Sequence, residues 1–174
     1  MGKAQLLQYT SVTSNPFGVL TAVVAPAILT NASSVLALGT SNRLARVVDR
    51  TRVVTAALAT LEPGSAHYQA WAAQLAPLHV RVHLLLKALR LFYAGLGLFA
   101  ATALVSVGGA VAAYYEQSAL FKVGAALAVL TGASAVVGLA WGCALMVRET
   151  QIAVDYLEEE ARIRTHYKAP ANPK

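Results

Sequence analysis

The sequence has few charged side chains, few aromatic side chains and a single cysteine. Of its 174 residues, 13% are charged and 7% are aromatic, whereas 57% are hydrophobic, and the mean hydropathy is +0.55. Because a soluble domain carries about 25% charged residues, this composition argues against a soluble protein. Cys143 stands alone in an apolar stretch, which excludes an intrachain disulfide and a thiolate metal cluster.

The sequence contains three long apolar segments. They cover residues 17–40, 91–113 and 123–147, and each is close to the roughly 20 residues that a helix needs to cross a bilayer. Ser14, Asn15 and Pro16 are typical of a helix start just before the first segment. We therefore predict an all-α, polytopic membrane protein with three transmembrane helices in the lipid bilayer.

The basic residues predict the orientation of these spans. Most of the 14 Lys and Arg residues lie in residues 41–90 or 148–174, and Lys3 and Lys122 are the exceptions. Positive charge is retained on the cytoplasmic side, so residues 1–16 and the turn at 114–122 are predicted to lie outside and the C-terminus inside. The net charge of +6 then reflects membrane topology, and no nucleic-acid partner is predicted.

Residues 41–90 show the pattern of a cytoplasmic helical hairpin. Apolar residues recur three and four apart, first from Leu44 to Leu61 and then from Trp71 to Leu86, as on one face of a helix. Pro63-Gly64 predicts the turn, and Ser65 can cap the returning helix. Pro77 lies within the returning helix, where we expect a kink rather than an end.

Residues 148–174 are predicted to form a cytoplasmic amphipathic helix followed by a disordered tail. Its apolar stripe and its two possible ion pairs, Glu158 with Arg162 and Glu160 with Arg164, suit a helix lying in water. The tail begins at about Lys168, where prolines follow.

A basic motif gives the chain a family resemblance. The stretch Asn42 to Arg52 reads NRLARVVDRTR and follows a first span that carries Pro26. Together with the basic stretch from Arg81 to Arg90 and the Arg148-Glu149 pair, it resembles domain-of-unknown-function family 2721 over roughly residues 16 to 160. The resemblance implies a small three-span protein of the bacterial inner membrane, and it implies no catalytic residue.

The first span is the least apolar of the three. Its candidate functional residues are Pro26, Thr30, Asn31 and Ser34. Polar groups at membrane depth usually face protein or water, so these side chains either hydrogen-bond to neighbouring helices or line a polar pathway at the centre of an oligomer. Pro26 predicts a helix kink or, alternatively, an ion-coordinating break.

The basic motif itself is a second candidate site. It comprises Arg43, Arg46, Asp49, Arg50 and Arg52, with Asp49 able to pair with Arg46 or Arg52. The arginines could anchor the protein to the phosphates of anionic lipid head groups. In a ring of subunits they would instead form a basic collar at the cytoplasmic mouth of a pore.

Two further patterns concern helix packing and metal binding. Ser134, Gly138 and Gly142 are four apart, which favours close packing against another helix of the same or another chain, with Gly97 and Ala101 as one complementary surface. His79 and His83 share a helical face as metal-binding pairs do, but no third ligand is evident. We predict no metal and no cofactor.

These features favour two classes of function over an enzyme, for which no nucleophile motif, no phosphate loop and no carboxylate pair inside the spans is evident. The first is a homo-oligomeric ion channel with the first span facing the axis. The second is a membrane scaffold whose cytoplasmic helices dock a partner. A monomeric carrier is disfavoured because three spans without internal repeats are too few.

Overall fold

The computed structural model describes residues 16–115 and 117–167, and the side chains of residues 24–112, 114–115 and 117–158. Its helices are α1 (Pro16–Thr60), α2 (Ala66–Ala72), α3 (Leu75–Tyr114) and α4 (Ser118–Tyr167), and the described residues contain no strand. Because α1, α3 and α4 are each long and apolar enough to cross a membrane, the chain is a multi-pass membrane protein. Residues 1–15 of the predicted N-terminal segment 1–16, and the predicted tail from Lys168, lie outside the described residues.

The turn between α1 and α2 forms where the sequence predicted it. Gly64 has a φ of +91°, a conformation that side chains with a Cβ rarely adopt. Ser65 then caps α2, because its hydroxyl accepts a hydrogen bond from the backbone N–H of Tyr68 at 3.1 Å. The reversal of the chain therefore depends on two consecutive residues, Gly64 and Ser65.

We expected Pro77 to kink a continuous helix, and this prediction is wrong. Pro77 instead lies in the first turn of a new helix. Helix α2 ends at Ala72 and α3 begins at Leu75, which makes Pro77 the third residue of α3. The backbone N–H groups of a first helical turn have no intrahelical acceptor, so the donor that proline lacks costs little there. The helix is thus interrupted at residues 73–74, where the backbone N–H of Gln74 donates a hydrogen bond to the carbonyl of Trp71 at 3.1 Å.

The chain packs as two compact units. Within the described residues, we call residues 16–37 and 91–140 the apolar unit, and residues 38–90 and 141–167 the charged unit. Among the side chains that the structure describes, Lys122 is the only charged one in the apolar unit. Helices α1, α3 and α4 each contribute one segment to either unit. The division by packing therefore coincides with a division by charge.

In the apolar unit, α3 and α4 approach each other through small residues. A Cβ on Gly124 would lie 3.7 Å from the Cα of Gly109, and one on Gly132 would lie 3.6 Å from Cγ2 of Thr102. The hydroxyls of Thr102 and Thr131 are 2.9 Å apart and share a hydrogen bond. Such hydrogen bonds and close backbone approaches stabilise helix pairs in lipid, where hydrophobic association is absent.

The residues predicted for close packing do not form this contact. Ser134 is exposed, and a Cβ on Gly138 or Gly97 would meet nothing within 4 Å. Gly142 belongs to the charged unit and is buried there. The flat face at Ser134 and Gly138 is thus left uncovered within the apolar unit.

The charged unit has its own apolar core, made by the stripes that the sequence predicted. Val54 and Leu85 are fully buried, and Val47 and Leu78 are nearly so. Partly buried apolar side chains surround these four: Leu44, Leu58, Trp71, Leu75, Val82 and Met146. Because the contributing residues come from α1, α2, α3 and α4, this core fixes the arrangement of the helices within the unit.

Substitution of Gly64 tests the turn. We expect Gly64→Ala to lower the free energy of unfolding by about 1 kcal/mol, because alanine is strained at positive φ while the space around the position is open. Unfolding of the purified protein in mixed micelles, followed by tryptophan fluorescence, measures the change. Gly39→Ala is the matched control, since Gly39 lies within α1 with equally open space and alanine favours a helix. Equal effects of the two substitutions would contradict the assignment.

Candidate functional site

One carboxylate lies buried in the charged unit. Glu149 on α4 is 2% exposed. The Nε of Arg81 on α3 donates a hydrogen bond to its Oε1 at 2.7 Å, and Nη1 of Arg43 on α1 lies 3.7 Å from its Oε2. Arg43 Nη1 also donates to the hydroxyl of Thr150 at 3.1 Å. Three helices therefore meet at this single acid.

The apolar core puts these residues together. Glu149 follows Met146 by three residues, Arg81 follows Leu78 by the same step, and Arg43 precedes Val47 by four residues. Met146, Leu78 and Val47 all belong to the core of the charged unit. Residues three or four apart share a face of a helix, so the packing of the core aims the charged groups at one another.

Burial makes this ion pair obligatory. A carboxylate taken out of water without a partner costs several kcal/mol, and the short bond from Arg81 to Glu149 offsets that cost. The side chain of Arg81 is 27% exposed and that of Arg43 is 46% exposed. Arg81 is thus the main partner, and Arg43 adds a weaker attraction through a longer distance.

Beside this ion pair opens a cavity of about 410 Å³. Its charged lining consists of Arg43, Arg46, Arg50, Arg81 and Glu149, and we call it the arginine cavity. Four guanidinium groups and one carboxylate leave its lining with a net charge of +3. The remaining wall includes the apolar side chains of Val47, Leu78 and Ala153.

Arg50 and Arg46 differ in how firmly they are held. Nη2 of Arg50 donates to Oε1 of Gln74 at 3.0 Å, and its guanidinium lies 5.8 Å from the ring centroid of Trp71, within the range of a cation–π interaction. Arg46 is exposed and has no side-chain partner within the described part of the chain. The cavity therefore combines positioned arginines with one unconstrained arginine.

The structure divides the predicted basic cluster. Arg43, Arg46 and Arg50 line the arginine cavity, whereas Asp49 and Arg52 form an exposed ion pair at 3.4 Å. Sequence reasoning did not identify Arg81 and Glu149 as part of this site. The spacing of Glu149 from Met146 was the available signal, because it places an acid on the apolar stripe of its helix.

The candidates in the first span lie on different faces of α1. Pro26 is buried, and its carbonyl accepts a hydrogen bond from the half-buried Thr30 hydroxyl at 2.8 Å. Asn31 and Ser34 are exposed, and the Ser34 hydroxyl donates to the Thr30 carbonyl at 2.9 Å. Ser33 is fully buried, and its hydroxyl has no partner among the described residues. The polar residues open to another molecule are therefore Asn31 and Ser34.

The two histidines of α3 share one side of the helix. Nδ1 of His83 lies 2.9 Å from the carbonyl oxygen of His79, and both residues are exposed. Among the described residues, no three His, Cys, Asp or Glu side chains come together as a metal site requires. The backbone contact already occupies one ring nitrogen of His83.

Removal of the buried charge tests the ion pair. We expect Glu149→Gln to lower the free energy of unfolding by about 3 kcal/mol, because Arg81 loses its charged partner. Arg43→Gln should cost less, about 1 kcal/mol, since Arg43 is half exposed and farther from the carboxylate. Denaturant titration in mixed micelles measures both, with the exposed Glu62→Gln as control. A loss no larger for Glu149→Gln than for Glu62→Gln would contradict a structural role for the pair.

Comparison with known proteins places the chain in a family. Residues 23–159 match the profile described as Protein of unknown function (DUF2721), which covers most of the 174 residues and includes the whole arginine cavity. No curated protein and no solved structure matches this chain. The chain therefore belongs to the DUF2721 family, as the basic motif had indicated.

Proposed function

We propose that the protein self-associates in the membrane and forms an ion-conducting pore, with the polar face of α1 along the axis. One observation carries the proposal: Asn31, in a segment apolar enough to span the bilayer, is exposed and has no side-chain partner within the described residues. A second copy of the chain, or water in a pore, would satisfy its amide.

The free-energy cost of exposing the Asn31 amide to lipid supports the proposal. An asparagine amide has two donor hydrogens and an acceptor oxygen, and hydrocarbon offers none of them a partner. Polar side chains in membrane helices accordingly face a bundle interior or a water-filled cavity. Asn31 exposed to lipid would be unfavourable, so we expect it to be covered in the assembled protein.

The same face of α1 allows copies to approach closely. Ala27, Asn31 and Ser34 are four and three residues apart and are all exposed, so they line one side of the helix with small or polar groups. The uncovered face at Ser134 and Gly138 offers a second surface for helix packing between subunits. Two separate surfaces on one subunit are what a closed ring requires.

The proposed setting is the bacterial inner membrane, with the N-terminus outside and the charged unit in the cytoplasm. The concentration of Lys and Arg in the charged unit supports this orientation. In that orientation the hairpin of α1, α2 and α3 and the C-terminal part of α4 project into the cytoplasm. Their arginines would then stand near the cytoplasmic lipid head groups or the mouth of the pore.

Reporter fusions test the orientation. A fluorescent protein that folds only in the cytoplasm should fluoresce when fused after Lys174, because the charge bias holds the C-terminus inside. A phosphatase that is active only outside the membrane should be inactive at that position and active when fused within the turn at residues 114–122. The reverse pattern of activities would show that the topology is inverted.

Ion flux tests the pore. Liposomes containing the purified protein should release a trapped ion, and Asn31→Leu should change the flux several-fold, because an amide that contacts ions or water is replaced by an apolar group. Native mass spectrometry should show four or more subunits. Val129→Leu is the matched control, since Val129 is an exposed apolar residue of α4 and the substitution keeps it apolar.

Either of two results would overturn the pore. A monomer or dimer, in detergent and in lipid particles alike, leaves no room for an axial pathway. Absence of flux at every voltage and pH tried, from a protein shown to be folded and oligomeric, would remove conduction while leaving self-association standing.

A second candidate function is a scaffold that docks a partner. The observation in its favour is an apolar groove of about 680 Å³ in the charged unit, lined in part by Pro77, Tyr156 and Leu157. Tyr156 and Leu157 are 50% and 66% exposed, which is unusual for large apolar side chains in a charged environment unless another molecule covers them. This function becomes the favoured one if no flux is found.

A further inference from the structure

The arginine cavity carries more positive charge than its own residues balance. Its lining includes four guanidinium groups and a single carboxylate, and that carboxylate is already bound to Arg81. Like charges held near one another in a partly buried site repel. A bound anion would relieve the repulsion, which makes the cavity a candidate binding site.

Hydrogen-bond donors without a protein partner also favour anion binding at this cavity. Each guanidinium carries five N–H donors. Within the described residues, hydrogen bonds engage one nitrogen each of Arg43, Arg50 and Arg81 and none of Arg46. Several N–H groups on each of the four arginines that line the cavity thus have no protein partner among the described residues.

Most of these donors are held in place before any ligand arrives. Glu149 fixes Arg81, Thr150 and Glu149 fix Arg43, and Gln74 and Trp71 fix Arg50. A site with side chains already positioned loses less conformational entropy on binding. Glu149 therefore positions Arg81 and Arg43.

We propose that the arginine cavity binds a phosphate-bearing anion, either a phosphomonoester or a diphosphate. A lining of net charge +3 suits an anion with more than one negative charge, and guanidinium groups match phosphate oxygens through paired hydrogen bonds. The volume of about 410 Å³ falls in the range of small-molecule sites. Val47, Leu78 and Ala153 on its wall leave room for an apolar group attached to the phosphate.

This inference does not rest on the proposed pore. Its readout is binding, which is measured without ion flux and in a single subunit or an assembly alike. The phosphate could belong to a soluble compound or to the head group of a membrane lipid, since both offer the same chemistry to arginine. The experiment therefore has two arms, one for each source.

The full-length protein in lipid particles made of zwitterionic phosphatidylcholine is the material for both arms. In the first arm, calorimetric titration measures the affinity for pyrophosphate at constant ionic strength. In the second arm, the thermal stability of the protein is compared between these particles and particles that also contain phosphatidic acid, because a ligand that binds the folded state raises the unfolding temperature.

Arg46→Gln is the decisive variant, because Arg46 lines the cavity but has no protein partner within the described residues, so its removal should leave the unliganded stability unchanged. We expect it to weaken pyrophosphate binding about tenfold, the effect of losing a charged hydrogen bond, or to abolish the stabilisation by phosphatidic acid. Arg52→Gln is the matched control: it removes the same charge from the exposed pair with Asp49, outside the cavity.

Each outcome decides the proposal. Pyrophosphate binding that Arg46→Gln weakens and Arg52→Gln does not supports a site for a soluble phosphate compound. The same selectivity seen only with phosphatidic acid supports a lipid head group, and selectivity in both arms supports a site open to either. Equal effects of the two substitutions would reveal general charge attraction and overturn the proposal, as would the absence of binding in both arms.

Discussion

The buried ion pair between Arg81 and Glu149 is the constraint on which the charged unit depends. It joins α3 to α4 at a distance of 2.7 Å and brings Arg43 of α1 within 3.7 Å of the same carboxylate. A buried charge must keep its partner, so these three helices have little freedom to shift against one another within the unit. The arginine cavity opens beside this acid, which is bound by Arg81 and approached by Arg43, while Arg46 and Arg50 complete its charged lining.

Charge also explains why the chain has two units and not one. A segment that crosses lipid cannot carry unpaired charges cheaply, and the described side chains of the apolar unit include only Lys122 among charged residues. The charged unit can therefore combine ion pairs with its apolar core, whereas the apolar unit buries Phe92 and Phe99, brings small residues close together and forms the bond between Thr102 and Thr131. Each unit is stabilised by the forces its composition permits.

Local sequence signals predicted the hairpin turn correctly and the effect of Pro77 wrongly. Pro63, Gly64 and Ser65 specified the hairpin turn because each acts through its own backbone or its nearest neighbours. Pro77 was read as a kink, although a proline is equally compatible with the first turn of a helix. Which of the two occurs depends on where the preceding helix ends, and α2 ends at Ala72. The spacing of Ser134, Gly138 and Gly142 shows which face of α4 is flat, and the packing of that face against another helix stays a prediction.

The sequence by itself determined the helices, the three apolar segments long enough to span a membrane, the turn and the apolar stripes of the hairpin. These follow from periodicity and hydropathy, which act between residues close together in the chain. The tertiary structure alone decided that Glu149 pairs with Arg81, 68 residues away, that Arg43, Arg46 and Arg50 share one cavity with them while Arg52 does not, and that Asn31 is left exposed. Several arginines had equivalent local surroundings, so only the packing of the helices around a common core could select among them.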